Sequence, residues 1–122
     1  MGKLLTIVEK MIRYARLGKS ADGEAITDEA IESAMRMLHA AGGVGCFPDN
    51  VVPEVNGGWV FYWHKSARPG MADVEYHCWD DGGIRVVCCE PKQSGRKSQI
   101  WTPAKDLAGT MARIKAFVEG EK

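Results

Sequence analysis

Apolar residues recur at helical spacing in three stretches of this chain and at alternate positions in three others. That difference in period separates helices from strands, because side chains repeat every 3.6 residues in one and every 2 in the other. Over residues 3–17, Leu4, Val8, Met11, Ile12 and Ala15 share one side and Lys3, Thr6, Glu9, Lys10, Arg13 and Arg16 the other, which predicts an amphipathic helix ended by Gly18. A polar link, 19–24, follows. Thr27 is placed to cap a second helix, with Asp28 and Glu29 in its positively polarised first turn. Its apolar stripe is read as Ile31, Ala34, Met35, Leu38 and Ala41, with Gly42-Gly43 as the stop. The last helix opens after Thr102-Pro103, carries Leu107, Met111, Ile114 and Val118 inward, and ends at Gly120.

Between the helices the period changes to two. Gly57-Gly58 leads into Trp59, Val60, Phe61, Tyr62, Trp63 and His64, so Trp59, Phe61 and Trp63 point to one face and form the floor of a core. Further strands are expected over 73–79 and 84–90, joined by Asp80-Asp81-Gly82-Gly83, a strong hairpin signal. An odd loop puts Val74, Tyr76 and Cys78 on one face with Ile84, Val86 and Cys88, and an even loop reverses that pairing. Short strands are read near 51–55 and at Gln99-Ile100-Trp101. The expected architecture is a single two-layer α+β domain over 1–122, an antiparallel sheet of three to five strands packed on helices in the order ααβββα.

Composition narrows the class of function. A chain of 122 residues, 45% apolar and 26% charged, can bury a core without metal or disulfide support. Sixteen Lys and Arg balance sixteen Asp and Glu, which argues against nucleic acid as a partner. No apolar run approaches the roughly 20 residues a bilayer span needs, so no membrane is expected. Glu9, Lys10 and Arg13 interrupt any secretory leader, and a cytoplasmic setting follows. Met1 to Thr6 fits the loose N-myristoylation pattern, although the same residues make a good helix start.

Candidate chemistry is sparse. Gly18-Lys19-Ser20 resembles the end of a phosphate loop, but Arg13 stands where its first glycine belongs and a helix precedes it. His64, His77, Cys46, Cys78, Cys88 and Cys89 lack the spacing of a zinc site, and no metal or cofactor is expected. Cys46, with His39 as the base it could in principle use, lacks a catalytic context, and His39 reads more simply as a solvated helix residue. Asp80 and Asp81 suit a turn, and Asp73 and Glu75 share a strand face. The basic run from Lys92 to Lys97, with Lys65, Arg68, Trp79 and Trp101, is the one nucleic-acid feature, and it reads more simply as solvated charge.

The most informative stretch is the second face of the sheet. Val60, Tyr62, Glu75, His77, Trp79, Arg85, Val87 and Cys89 fall on it, a mixture too apolar to be solvated throughout. Either the terminal helix covers it or it meets another molecule.

Asp22-Gly23, the helix after Thr27, the run Pro53-Glu54-Val55-Asn56-Gly57-Gly58 and the strand ending at Trp63 resemble a loosely defined group of small bacterial proteins of unknown function. The resemblance covers about residues 20 to 90 and implies the α+β layout, without an activity. The function expected is that of a non-enzymatic interaction or regulatory protein, an accessory factor of bacterial, phage or mobile-element origin. It would bind a protein partner or a second copy of itself through Tyr62, His77, Trp79 and Arg85. The alternative is a small-molecule binder or small enzyme with a pocket between sheet and helices, lined by Trp59, Trp63 and Tyr76 with Met35 and Met111.

Overall fold

The computed structural model describes residues 2–17, 27–54, 58–64, 74–79, 83–88, 99–102 and 107–119, with only the backbone of 15–17, 99 and 101. Among these run three helices, α1 (Gly2–Leu17), α2 (Asp28–Val44) and α3 (Leu107–Val118). Five strands lie between the second and third: β1 (Asn50–Pro53), β2 (Trp59–Trp63), β3 (Val74–Cys78), β4 (Ile84–Cys88) and β5 (Gln99–Trp101). The sheet is an antiparallel meander in chain order, β1-β2-β3-β4-β5. The three central strands therefore gain a short edge strand on each side.

Register decides which residues share a face. Val74 pairs with Cys88, Tyr76 with Val86 and Cys78 with Ile84, the arrangement an odd loop requires. The Trp79 N–H closes that hairpin on the Gly83 carbonyl at 2.8 Å. Trp59, Phe61 and Trp63 oppose Cys78, Tyr76 and Val74, and all six are 1% exposed or less. Tyr76 meets Phe61 and Trp63 edge-on at 6.4 Å, and Tyr14 of α1 lies 6.3 Å from Trp59. Such tilted pairs set the electropositive ring edge against the electronegative face.

The helices all supply this same core. Ile7 and Met11 of α1, Ala30, Ala34, Met37, Leu38 and Ala41 of α2, and Met111 and Ile114 of α3 join one cluster with the aromatic face of the sheet. Lys10 Nζ on Asn50 Oδ1 and Lys3 Nζ on Asp49 Oδ1, each at 2.5 Å, tie α1 to the β1 end.

Three sequence expectations need correction. Gly42-Gly43 does not stop α2, which runs on to Val44 and ends at Gly45 in the left-handed conformation with φ 70°. The Gly45 N–H caps Ala41 and Gly42, and a positive φ is what glycine supplies there at least cost. Gly42 stays helical beneath Phe47, whose ring would stand 3.3 Å from an added Cβ. The α2 stripe is also rotated: Met35 is 48% exposed, while Ala30, Ser33 and Met37 are buried. In α1, Ile7 faces inward and Ile12 outward, because that helix carries two apolar stripes and the one containing Ile7 and Met11 meets the sheet. The Thr27 cap forms as the sequence predicts, its hydroxyl accepting from the Ala30 N–H at 3.2 Å.

Candidate functional site: the open face of the sheet

Because the three helices contribute to the core on one side, the alternate residues of the same strands are left on the other. Pairing sets them in rows. Val52, Val60, His77 and Arg85 form one, and Asn50, Tyr62, Glu75, Val87 and Ile100 the next. Glu54 and Trp79 lie just beyond the ends of β1 and β3 with the same orientation. Val60 stands outside the main core cluster yet is only 4% exposed, so the side chains around it cover this face at that point. The described helices put their buried residues into the core on the opposite face, and Lys10 of α1 reaches this one only at Asn50, on its β1 edge. Arg85 and Ile100 are exposed, Ile100 at 66%, and Tyr62, Glu75, His77, Trp79 and Val87 are half-buried.

The polar members of this face hold one another. His77 Nδ1 lies 2.6 Å from Glu54 Oε2 and its Nε2 lies 2.9 Å from Glu75 Oε1. A ring nitrogen donates only when it carries a proton, so both contacts are hydrogen bonds at once in the imidazolium form. The His77 ring sits 6.4 Å from Trp79, and the Arg85 guanidinium lies 5.2 Å from the centre of the indole, a cation–π contact. Burial, together with the charges of Glu75 and Glu54, pushes the Tyr62 hydroxyl above the usual tyrosine range. Tyr62 therefore presents a neutral O–H near neutral pH.

This brings together the four residues singled out in the sequence, Tyr62, His77, Trp79 and Arg85. Cys89, placed on the same face by the sequence, lies outside the described residues. Sequence reasoning missed Glu54 and Ile100. Both follow from parity once the edge strands are registered, since Val52 shares its face with Glu54 and Val87 pairs with Ile100.

The other candidates separate. Glu54 and Glu75 approach opposite nitrogens of His77, so no single point is within ligand distance of all three. Among the described residues no three His, Cys, Asp or Glu side chains form a metal-binding group. Trp59, Trp63 and Tyr76 are fully buried in the core, Met111 is buried beside them and Met35 is half-exposed. Among the described residues the Trp59 Nε1 and Tyr76 hydroxyl have no hydrogen-bond partner. Trp63 also borders a cleft of about 620 Å³ at the end of the domain, together with Lys3, Cys46, Phe47, Asp49, His64 and Glu119. Its polar groups are engaged internally: Asp49 holds Lys3 and the His64 N–H, and the Trp63 indole donates to the Cys46 carbonyl at 3.1 Å.

Burial and the charge of Glu119 push the Cys46 thiol above its ordinary value, the opposite of an activated nucleophile. His39 lines apolar grooves on α2, away from that cleft. Cys78 is buried and its thiol is pushed up to about 12 by desolvation. The basic run 92–97, with Lys65, Arg68, Asp73, Asp80 and Asp81, lies outside the described residues, as does the Trp101 side chain. No described helix is long and apolar enough to cross a membrane.

No protein-family model, curated protein or solved structure matches this chain.

Proposed function

We propose that this protein acts by binding another protein through the open face of its sheet, without chemistry of its own. The observation that carries this reading is the asymmetry of the sheet. All three helices join the core on one face, while the other keeps exposed Ile100, half-buried Tyr62, Val87 and Trp79, and Arg85 over the indole. Aromatics and arginine are the side chains enriched in protein interfaces, and they dominate binding energy when they become desolvated there. The acidic pair Glu54 and Glu75 on the same face would repel phosphate, so a protein surface suits it better than nucleic acid. A cytoplasmic regulator or accessory factor is the role this reading fits.

The test is site-specific photo-crosslinking in cells. A benzophenone amino acid at Tyr62 should trap protein, and the same probe at Met35 on the helical side should not. Crosslinks from Met35 alone, or none from Tyr62, would reject the proposal.

A further inference from the structure

We infer that the molecule seated on the open face is a second copy of this chain, a deepening that rests on the binding role proposed above. The argument is self-complementarity. A two-fold interface requires each patch to carry both partners of every contact, because residue i of one copy meets j of the other and j meets i. This face carries both charges, with Glu75 on β3 and Arg85 on the neighbouring β4. It also carries two large aromatics, Tyr62 and Trp79, and an apolar end formed by Val87 and Ile100.

The register gives the geometry. On a flattened sheet, strands are about 4.8 Å apart and same-face neighbours along a strand about 6.7 Å apart. Glu75 and Arg85 then form a diagonal of about 8 Å. A two-fold axis lying in the interface plane and bisecting this diagonal sets each Glu75 against the other copy's Arg85. The same operation carries Tyr62 onto the region of Trp79 and Gly83 in the facing copy. It returns Ile100 and Val87 to within a strand spacing of their own equivalents. The operation thus sets Glu75 against Arg85, Tyr62 beside Trp79 and the Val87–Ile100 end against itself, while His77 and Glu54 fall near their own equivalents. Neither copy needs a group that the other lacks.

The patch is small. Five strands span about 19 Å, and the two rows with Trp79 beyond them span about 13 Å. That footprint falls below the ~800 Å² per partner of tight complexes, so the dimer is weak and concentration-dependent.

Sedimentation velocity from about 5 µM to 1 mM, a range set by that small footprint, reads the equilibrium. Wild-type protein should pass from monomer to dimer across it. Arg85→Glu and Glu75→Arg, each made singly, should raise the dissociation constant at least about tenfold, because each sets like charges opposite one another. The double variant, with the charges exchanged, should recover most of the affinity. Met35→Glu on the helical face should leave it unchanged, and circular dichroism should show all four variants folded.

A wild-type chain that stays monomeric to 1 mM overturns the inference. So does a dimer indifferent to either reversal, or a folded double variant that does not recover. If the chain is monomeric but the Tyr62 crosslinker traps another protein, the binding face stands and the second copy fails. If Tyr62 traps nothing, the binding role itself fails.

Discussion

The two faces of this sheet are made by the same strands, residue by residue in alternation, yet they solve different problems. On the covered face, Trp59, Phe61, Trp63, Val74, Tyr76, Cys78, Val86 and Cys88 are 1% exposed or less and meet helices. Their stability comes from apolar area removed from water and from close packing, neither of which depends on charge. On the open face, polar side chains spread sideways and engage one another, His77 between two carboxylates and Arg85 on Trp79. Contacts of that kind are worth little at a wet surface and much more when a partner excludes water. One face is closed by the helices, and on the other the side chains engage one another.

The largest expected effect lies on the closed face. Trp63→Ala should cost about 3–5 kcal/mol of unfolding free energy, the range for deleting a buried indole, read from urea or guanidinium midpoints. Tyr62→Ala, its neighbour on the open face, should cost about 1 kcal/mol or less. Equal costs at both positions would erase the distinction between the faces.

Gly58 lies just before β2, against the backbone at the end of β3. A Cβ there would lie 1.9 Å from the Cys78 carbonyl oxygen, backbone that cannot move without parting β2 from β3. Gly58→Ala should therefore destabilise by about 2–4 kcal/mol, although it adds a single methyl group.

Alkaline pH should act on the closed face first. Tyr76 and Cys78 are raised by burial, Cys78 to about 12. Both stay protonated in the fold, so the unfolded chain releases protons at a lower pH. Stability is then full below the unfolded values near 9 and 10 and is lost as pH rises toward the folded ones. Denaturant midpoints at pH 7, 9 and 11 should fall only over the last interval, and a native Cys78 should resist thiol reagents throughout.

A smaller effect is expected from His77→Ala. It leaves Glu54 and Glu75 without the ring between them and should cost about 1 kcal/mol, seen as a modest shift in thermal midpoint.

Much of the closed face was legible in the sequence. Alternation alone assigned Trp59, Phe61 and Trp63 to one side, and the parity of the Asp80–Gly83 loop left two registers, one of which occurs. The helices were legible as elements but not in their rotation. Leu5, Ile12 and Met35 are apolar enough to be core, and only the position of the sheet decides that they face outward. The end of α2 was misread because a helical glycine costs only about 1 kcal/mol, less than packing under Phe47 can return. The open face was legible in its residue types and hidden in its contacts. The pairing of Glu54 with His77 spans 23 positions and depends on edge-strand register, which local sequence specifies weakly.

The central claim is that one face of the sheet closes the core and the other receives a partner, a second copy. The most direct measurement follows the tryptophan indole N–H resonances of 15N-labelled protein on dilution from 1 mM to about 5 µM, the range over which a weak interface dissociates. The account predicts that the Trp79 resonance shifts with concentration while those of Trp59 and Trp63 stay fixed. A Trp79 resonance that does not move, or one that moves only together with both core indoles, would contradict it.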